Sequence, residues 1–259
     1  MTTVDVIILS LANTPTLREV TERCLETLLS SEPGHPEISF RIIVVESHPA
    51  APPYSGENVE TIYPKTPFGY HAYMNLGIGM TCSPYICLCN NDLVFHPGWV
   101  SSLLAAFDSD KHLYSASPIC TLHHPTVGIN PNTGKYYGYG IRKEVAGWCL
   151  FFRRDMLKIT GPLDERFRFW FADNDYAMTL EKHGLRHALV TDAIVDHVES
   201  RTLRSRSSLD QLLLTKRAKI DFDDKWRNLG KLSRIARIIK FNIKAIDIKL
   251  TNLFKINKY

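Results

Sequence analysis

The chain is expected to fold as an open α/β sheet flanked by helices. Two observations in its first half carry that expectation. Apolar runs near residues 4–11, 39–47 and 85–89 are almost continuous, as strands of a sheet covered on both faces require. The segments after them carry apolar residues at helical spacing, so strand and helix alternate three times.

The elements follow in order. "VDVIILSL" is the first strand. Residues 14–31, "TPTLREVTERCLETLLSS", set Leu17, Val20, Cys24, Leu25 and Leu28 on one helical face, with Pro15 at an early position that tolerates it. "SFRIIVVES" is the second buried strand. A helix begins near Gly69 and carries residues 75–80, and "YICLC" is the third strand. "HPGWVSSLLAAFDS" opens a helix with Trp99, Leu103 and Phe107 on one side. Residues 121–140 are rich in Gly, Pro, Asn and Tyr without any period, as in a binding loop or lid. Strand and helix return in "AGWCLFFRRDMLKITG", an aromatic run and acidic cluster lead a helix in "FRFWFADNDYAMTLEKHG", and "ALVTDAIVDHVES" is a last strand.

Composition sets the outer limits. The content of 44% hydrophobic and 22% charged residues is that of a soluble globular protein. No apolar run approaches the roughly 20 residues that cross a bilayer, and the N-terminus lacks a secretory pattern. A cytoplasmic protein is expected. The six cysteines form no C-x-x-C pair, and Cys87 and Cys89 share one strand face. That spacing argues against zinc and for buried free thiols in a reducing compartment. The net charge of +4 conceals a division: residues 1–200 hold 15 basic against 22 acidic side chains, residues 201–259 hold 16 against 5. We therefore separate a main unit, 1–200, from a basic extension, 201–259.

Three polar clusters fall at strand or helix ends: Asn90, Asn91 and Asp92; Asp173 and Asp175; Asp196 and His197. Ligands of open α/β sheets gather outside the carboxyl ends of strands. Asp92 offers a hard oxygen and His197 an imidazole nitrogen, a set that suits Mg²⁺ or Mn²⁺ bound to phosphate oxygens. One of Asp173 and Asp175 is then placed to act as general base on a hydroxyl. A turn at residues 90–92 and a helix cap at 173–175 are the plain structural readings of the same residues.

From residue 4 to about 200 the chain resembles the family 2 glycosyltransferases, nucleotide-sugar-dependent enzymes of the GT-A fold. Four stretches carry the resemblance: "VIILSLANTPTL", "PFGYHAYMNLGIGMTCSPYICLCNNDLVFHPGWV", "GWCLFFRRDMLKITGPLDERFRFWFADNDYAMTLEKHG" and "DAIVDHVES". The resemblance implies a GT-A, Rossmann-like open mixed sheet with a C-terminal basic helical extension. It implies inverting sugar transfer from a nucleotide-diphosphate donor, a UDP-sugar being expected, with Mn²⁺ or Mg²⁺. Asp92 matches the last acidic position of the metal motif, while Asn90 stands where many members have Asp. His197 matches the closing metal- or phosphate-contacting His, and Asp173 the catalytic base, with Asp175 in reserve. Ala172 replaces the Glu usual before that base. Leu11 and Asn13 lie in the turn that meets the nucleotide base, Glu46 where an Asp contacts base or ribose, and Asn75 near the diphosphate, with Gly69 in the Gly-aromatic turn and Asn90 and Asn91 in the metal motif as further donor-binding positions. A sugar nucleotidyltransferase is the same-fold alternative, without a glycine-rich phosphate signature to support it. A sugar-nucleotide binder that has lost catalysis is another, kept open by Ala172 and Asn90.

Acceptor contacts are read from aromatics. Phe167, Phe169, Trp170 and Phe171 include alternating positions that belong to a core, yet Trp170 could stack on a sugar, as could Trp148. Tyr136, Tyr137 and Tyr139 are better acceptor candidates, because nothing periodic buries them. In the tail, Ile235, Ile239, Ile243, Ile246, Leu250 and Leu253 form an apolar stripe among Arg234, Arg237, Lys240, Lys244, Lys249, Lys255 and Lys258. Such a helix suits an anionic membrane at the inner face of the cell, with a glycan or lipid-linked glycan acceptor. It also suits DNA, with hydroxylated bases as acceptors and the basic 201–217 segment contributing. Packing onto the acidic catalytic unit, or a dimer contact, is the plain structural reading.

Overall fold

The computed structural model describes residues 1–198, 208–228 and 230–256, with side chains of 208–214 and 249–256 left aside. The boundary placed at residue 200, the basic residues of 201–207 and Lys258 lie outside the described residues.

Nine strands form one mixed sheet: β1 Thr2–Ser10, β2 Ile38–Glu46, β3 Val59–Ile62, β4 Tyr85–Cys89, β5 Leu93–Phe95, β6 Leu113–Ile119, β7 Lys135–Tyr137, β8 Cys149–Arg153 and β9 Arg186–His197. The order is β3-β2-β1-β4-β8-β6-β9-β5, with β7 also paired to β9. β1 to β4 run parallel, and β8 runs antiparallel to both its neighbours. The helices are α1 Pro15–Leu29, α2 Tyr70–Gly79, α3 Trp99–Ser109, α4 Met156–Thr160, α5 Ala172–Lys182, α6 Ser208–Arg227 and α7 Lys231–Ile256.

β1 shows why the sheet is covered on both faces. Val4, Val6 and Ile8 point to a core shared with Leu25 and Leu28 of α1 and Trp99, Leu103 and Phe107 of α3. Ile7 and Leu9 point the other way, to Met74 and Ile78 of α2 and Tyr176 and Leu180 of α5. Each such aliphatic side chain contributes about 1.5–3 kcal/mol on burial. Thr14 caps α1 by accepting the Leu17 N–H at 3.3 Å. A Cβ on Gly77 would stand 2.5 Å from Ile7 Cγ2, so the glycine lets α2 close onto β1. Asp5 is fully buried in β1 and takes Ser83 N–H, Ser83 Oγ–H and Arg154 Nη2, each at 2.7 Å, which ties β1 to the end of β8.

The aperiodic loop is more ordered than its composition implies. It contains a 3-10 turn, His124–Val127, and β7, which pairs with β9. Its tyrosines are anchors. Tyr136 packs with Ile129 and Leu189, Tyr139 donates to the Leu185 carbonyl at 3.0 Å, and Tyr137 donates to Asp110 Oδ2 at 3.1 Å under the Arg186 guanidinium. All six cysteines are free thiols and five are buried, as expected. β8 brings Cys149 beside Cys87 and Cys89, with sulfurs 3.3–3.9 Å apart. Burial pushes all three thiols well above their ordinary pKa.

The basic extension is tied to the sheet domain. Phe222 of α6 packs on Phe167 and Ala172, and Lys225 and Trp226 reach α5. Among the described residues no helix is long and apolar enough to cross a membrane.

Candidate active site

Strand register brings together the two residues expected to bind a metal. β5 runs antiparallel to the end of β9, with Leu93 opposite His197 and the Val198 N–H donating to the Asp92 carbonyl at 3.0 Å. Asp92 and His197, 105 positions apart in sequence, are thereby neighbours, with Asp92 Oδ1 3.1 Å from His197 Nε2. Both atoms are buried, and neither takes part in a hydrogen bond. Buried polar atoms without a hydrogen bond are costly, and here each has only the other beside it. Two atoms bound to one octahedral cation at about 2.1 Å would themselves lie about 3 Å apart. The oxygen–nitrogen donor pair thus fits a small divalent cation.

Trp148 fixes that imidazole. Its indole stacks on His197 with centroids 5.2 Å apart and planes 1° from parallel, and its carbonyl accepts the Asn90 N–H at 2.9 Å. The neighbouring Asp196 holds a different post, accepting from Thr121 N–H and Oγ–H and pairing with His96 at 2.8 Å. Burial pushes its pKa up, but those donors outweigh burial and hold it below the ordinary value.

A cleft of about 270 Å³ opens beside this pair, and Asn90, Arg142, Trp148, Trp170, Asp173 and His197 are among the side chains that line it. Asp173 enters from the first turn of α5. The preceding Phe171 takes a left-handed φ of 65°, a strained conformation for an aromatic residue, which starts the helix at the cleft wall. Gly147 makes room opposite: a Cβ there would lie 2.7 Å from Asp173 Cβ and 3.2 Å from Oδ2. Tyr70 donates to the Gly147 carbonyl at 3.3 Å and keeps that backbone in place. Burial raises the Asp173 pKa, only partly countered by the Asn174 N–H. His71 donates to the Asp164 carbonyl at 2.9 Å, and burial lowers its pKa. Trp170 remains 40% exposed on the lining.

The other expected contacts do not line this cleft. Asp175 turns away from the cleft, accepting Trp226 Nε1–H at 2.8 Å and pairing with Lys225 at 2.7 Å. Glu46 is 1% exposed, and its carboxylate accepts the Ala12 and His48 N–H groups at 3.0 and 2.7 Å. It shapes the turn holding Leu11 and Asn13, of which Leu11 is half-buried and Asn13 exposed. Asn75 bonds both ways with the Leu163 backbone, at 2.8 and 3.0 Å, and so clamps α2 to the loop before α5. Asn91 donates to Thr21 Oγ1 at 2.8 Å and anchors α1. Gly69 caps the start of α2 under Arg168, and Tyr137 on β7 does not line the cleft. Sequence reasoning missed Arg142, Gly147 and His71. Of these, Gly147, in the quoted "GW", and His71, in the quoted "PFGYH", stood in stretches already under suspicion, and Arg142 did not.

Comparison with known proteins bears on family and fold. No curated protein sequence matches the chain. Among solved structures, the chain is similar to a mannosyltransferase, PcManGT, from Pyrobaculum calidifontis, solved in complex with GDP-Man and Mn²⁺. The TM-score is 0.57 at 12% identity, over 99% of this chain and 80% of that one, a likeness of fold. The model of glycosyl transferase family 2 matches residues 6–155, more than half of the sequence. The chain belongs to glycosyl transferase family 2 and is a glycosyltransferase of the GT-A fold.

Proposed function

We propose that the protein transfers a sugar, with inversion, from a nucleoside-diphosphate donor to a hydroxyl of a glycan or lipid-linked glycan. The observation that carries this reading is the buried pair Asp92 Oδ1 and His197 Nε2, 3.1 Å apart and without hydrogen bonds, whose His197 lines the same cleft that Asp173 lines from another element. Asp92 and His197 would hold Mn²⁺ or Mg²⁺, and a cation there supplies positive charge to a leaving diphosphate. The residues of this chain divide the remaining work. Asp173 accepts the proton of the acceptor hydroxyl, a contribution on the order of 10²–10⁴-fold, and its raised pKa makes it a stronger base than an exposed aspartate. Arg142 brings a second positive charge to the cleft. The indole of Trp170 offers a flat face to a sugar ring at the lining. The turn with Leu11 and Asn13, shaped by Glu46, receives the nucleotide base, and Asn90 faces the phosphates from the strand end.

A UDP-sugar is the donor the sequence favours, and the GDP-Man of the Pyrobaculum neighbour makes a guanosine sugar the first alternative. Incubating the protein with a panel of UDP- and GDP-sugars, with Mn²⁺ and with chelator, tests the reading. Cation-dependent release of nucleoside diphosphate with one donor is expected. Silence across the panel, beside unimpaired binding of a nucleotide sugar, would instead favour a binder without catalysis.

A further inference from the structure

We infer that α7 is a docking helix for an anionic lipid bilayer, lying in the plane of the membrane surface. The helix has two faces with different partners. Its inner face is already occupied. Arg234 pairs with Asp224 at 3.2 Å, Arg237 with Asp223 at 2.9 Å, and Ala245 is buried. On the opposite side Leu232, Ile235, Ile239, Ile243 and Ile246 recur every three or four residues, each between 53% and 85% exposed. Five aliphatic side chains in one row facing water form an apolar stripe nearly 21 Å long, at 1.5 Å per residue.

Charge identifies what covers the stripe. Lys231, Lys240 and Lys244 are exposed, and α7 as a whole carries seven basic residues and one acidic. By helical geometry Lys240 lies about 100° from the centre of the stripe on one side and Lys231 about 80° on the other, where long side chains reach anionic headgroups while the stripe enters the acyl boundary. A second copy fits less well, because apposed stripes would bring two strongly basic helices together. A nucleic acid would meet the cations and leave the isoleucines in water. Basic residues at nearly every turn also keep the helix at the surface instead of across the bilayer. The docking is coupled to the enzyme's frame, since α6 joins α7 through those Arg–Asp pairs and holds α5 through Lys225–Asp175. The inference adds a partner to the proposed reaction and is read separately from it.

The test is flotation of the full chain with vesicles of phosphatidylcholine containing phosphatidylglycerol, against phosphatidylcholine alone. Wild type is expected to float with the anionic vesicles only, and less so as salt rises. Ile239→Asp/Ile243→Asp should weaken that binding by at least about tenfold, and Lys231→Gln/Lys240→Gln should weaken it by a smaller factor. Donor turnover in solution and the circular dichroism spectrum should stay unchanged. Ile243→Trp provides an independent reading, a blue-shifted emission above the wild-type background when anionic vesicles are added. The inference is overturned if wild type ignores anionic vesicles, or if the aspartate pair floats as well as wild type. It is also overturned if that pair only converts a dimer to a monomer, or if duplex DNA is retained through the lysines with no effect of the isoleucines.

Discussion

Gly147 and Asp173 come from different elements, and a Cβ on the first would stand 2.7 Å from the Cβ of the second. The glycine is the floor against which the carboxylate rests. Gly147→Ala should push the start of α5 outward and misplace the base. A displacement near 1 Å costs about 10²-fold in a positioned reaction. Steady-state kinetics should therefore show a fall in kcat of about that size, with donor affinity within about twofold of wild type.

Asp173 should trade stability for chemistry. Its folded-state pKa is raised by burial, so the folded chain binds the proton more tightly than the unfolded chain. The stabilising contribution is full below the ordinary carboxylate value, about 3.9, and is lost as pH rises through the raised value. At neutral pH the ionised side chain is a burden on the fold. Asp173→Asn should melt at the same temperature as wild type or higher, while losing transfer by on the order of 10²–10⁴-fold. In the wild-type rate profile, the acid limb should lie above the ordinary aspartate range.

Asp175 should behave in the opposite way. Its removal leaves Lys225 with Asp164 alone and the Trp226 indole N–H without its acceptor. Asp175→Ala should lower unfolding free energy by about 1–3 kcal/mol in denaturant titrations, and kcat should fall far less than in Asp173→Asn.

Arg154→Ala examines the frame. It strips the fully buried Asp5 of its cation, a loss on the order of 3–5 kcal/mol for such a pair. A large drop in thermal midpoint is expected, with nucleotide-sugar binding unchanged in whatever folded protein remains.

Much of the fold was legible because buried parallel strands read as unbroken apolar runs. β1, β2 and β4 announce themselves in this way. β3 is short and half-buried, and β6, "LYSASPI", mixes serines and a proline into a central strand, so neither stands out. At the site, the residue types at strand ends were legible and their aim was not. Asp173 and Asp175 lie two positions apart on a helix, about 200° around its axis, and only α6 shows which of them is occupied. Glu46 and Asn75 match a motif, yet backbone N–H and carbonyl groups that no sequence pattern reveals have taken their side chains. In α7 the period of 3.6 exposed the stripe, while its open outer side is a fact of packing.

The proposed cation pair and the proposed base are best separated by calorimetric titration of a nucleoside diphosphate, with Mn²⁺ present, into wild type, Asp92→Asn and Asp173→Asn. Wild type and Asp173→Asn should bind alike, and Asp92→Asn should bind at least about tenfold more weakly. Tight binding by Asp92→Asn, or an equal loss of affinity in Asp173→Asn, would contradict the division of labour between Asp92, His197 and Asp173.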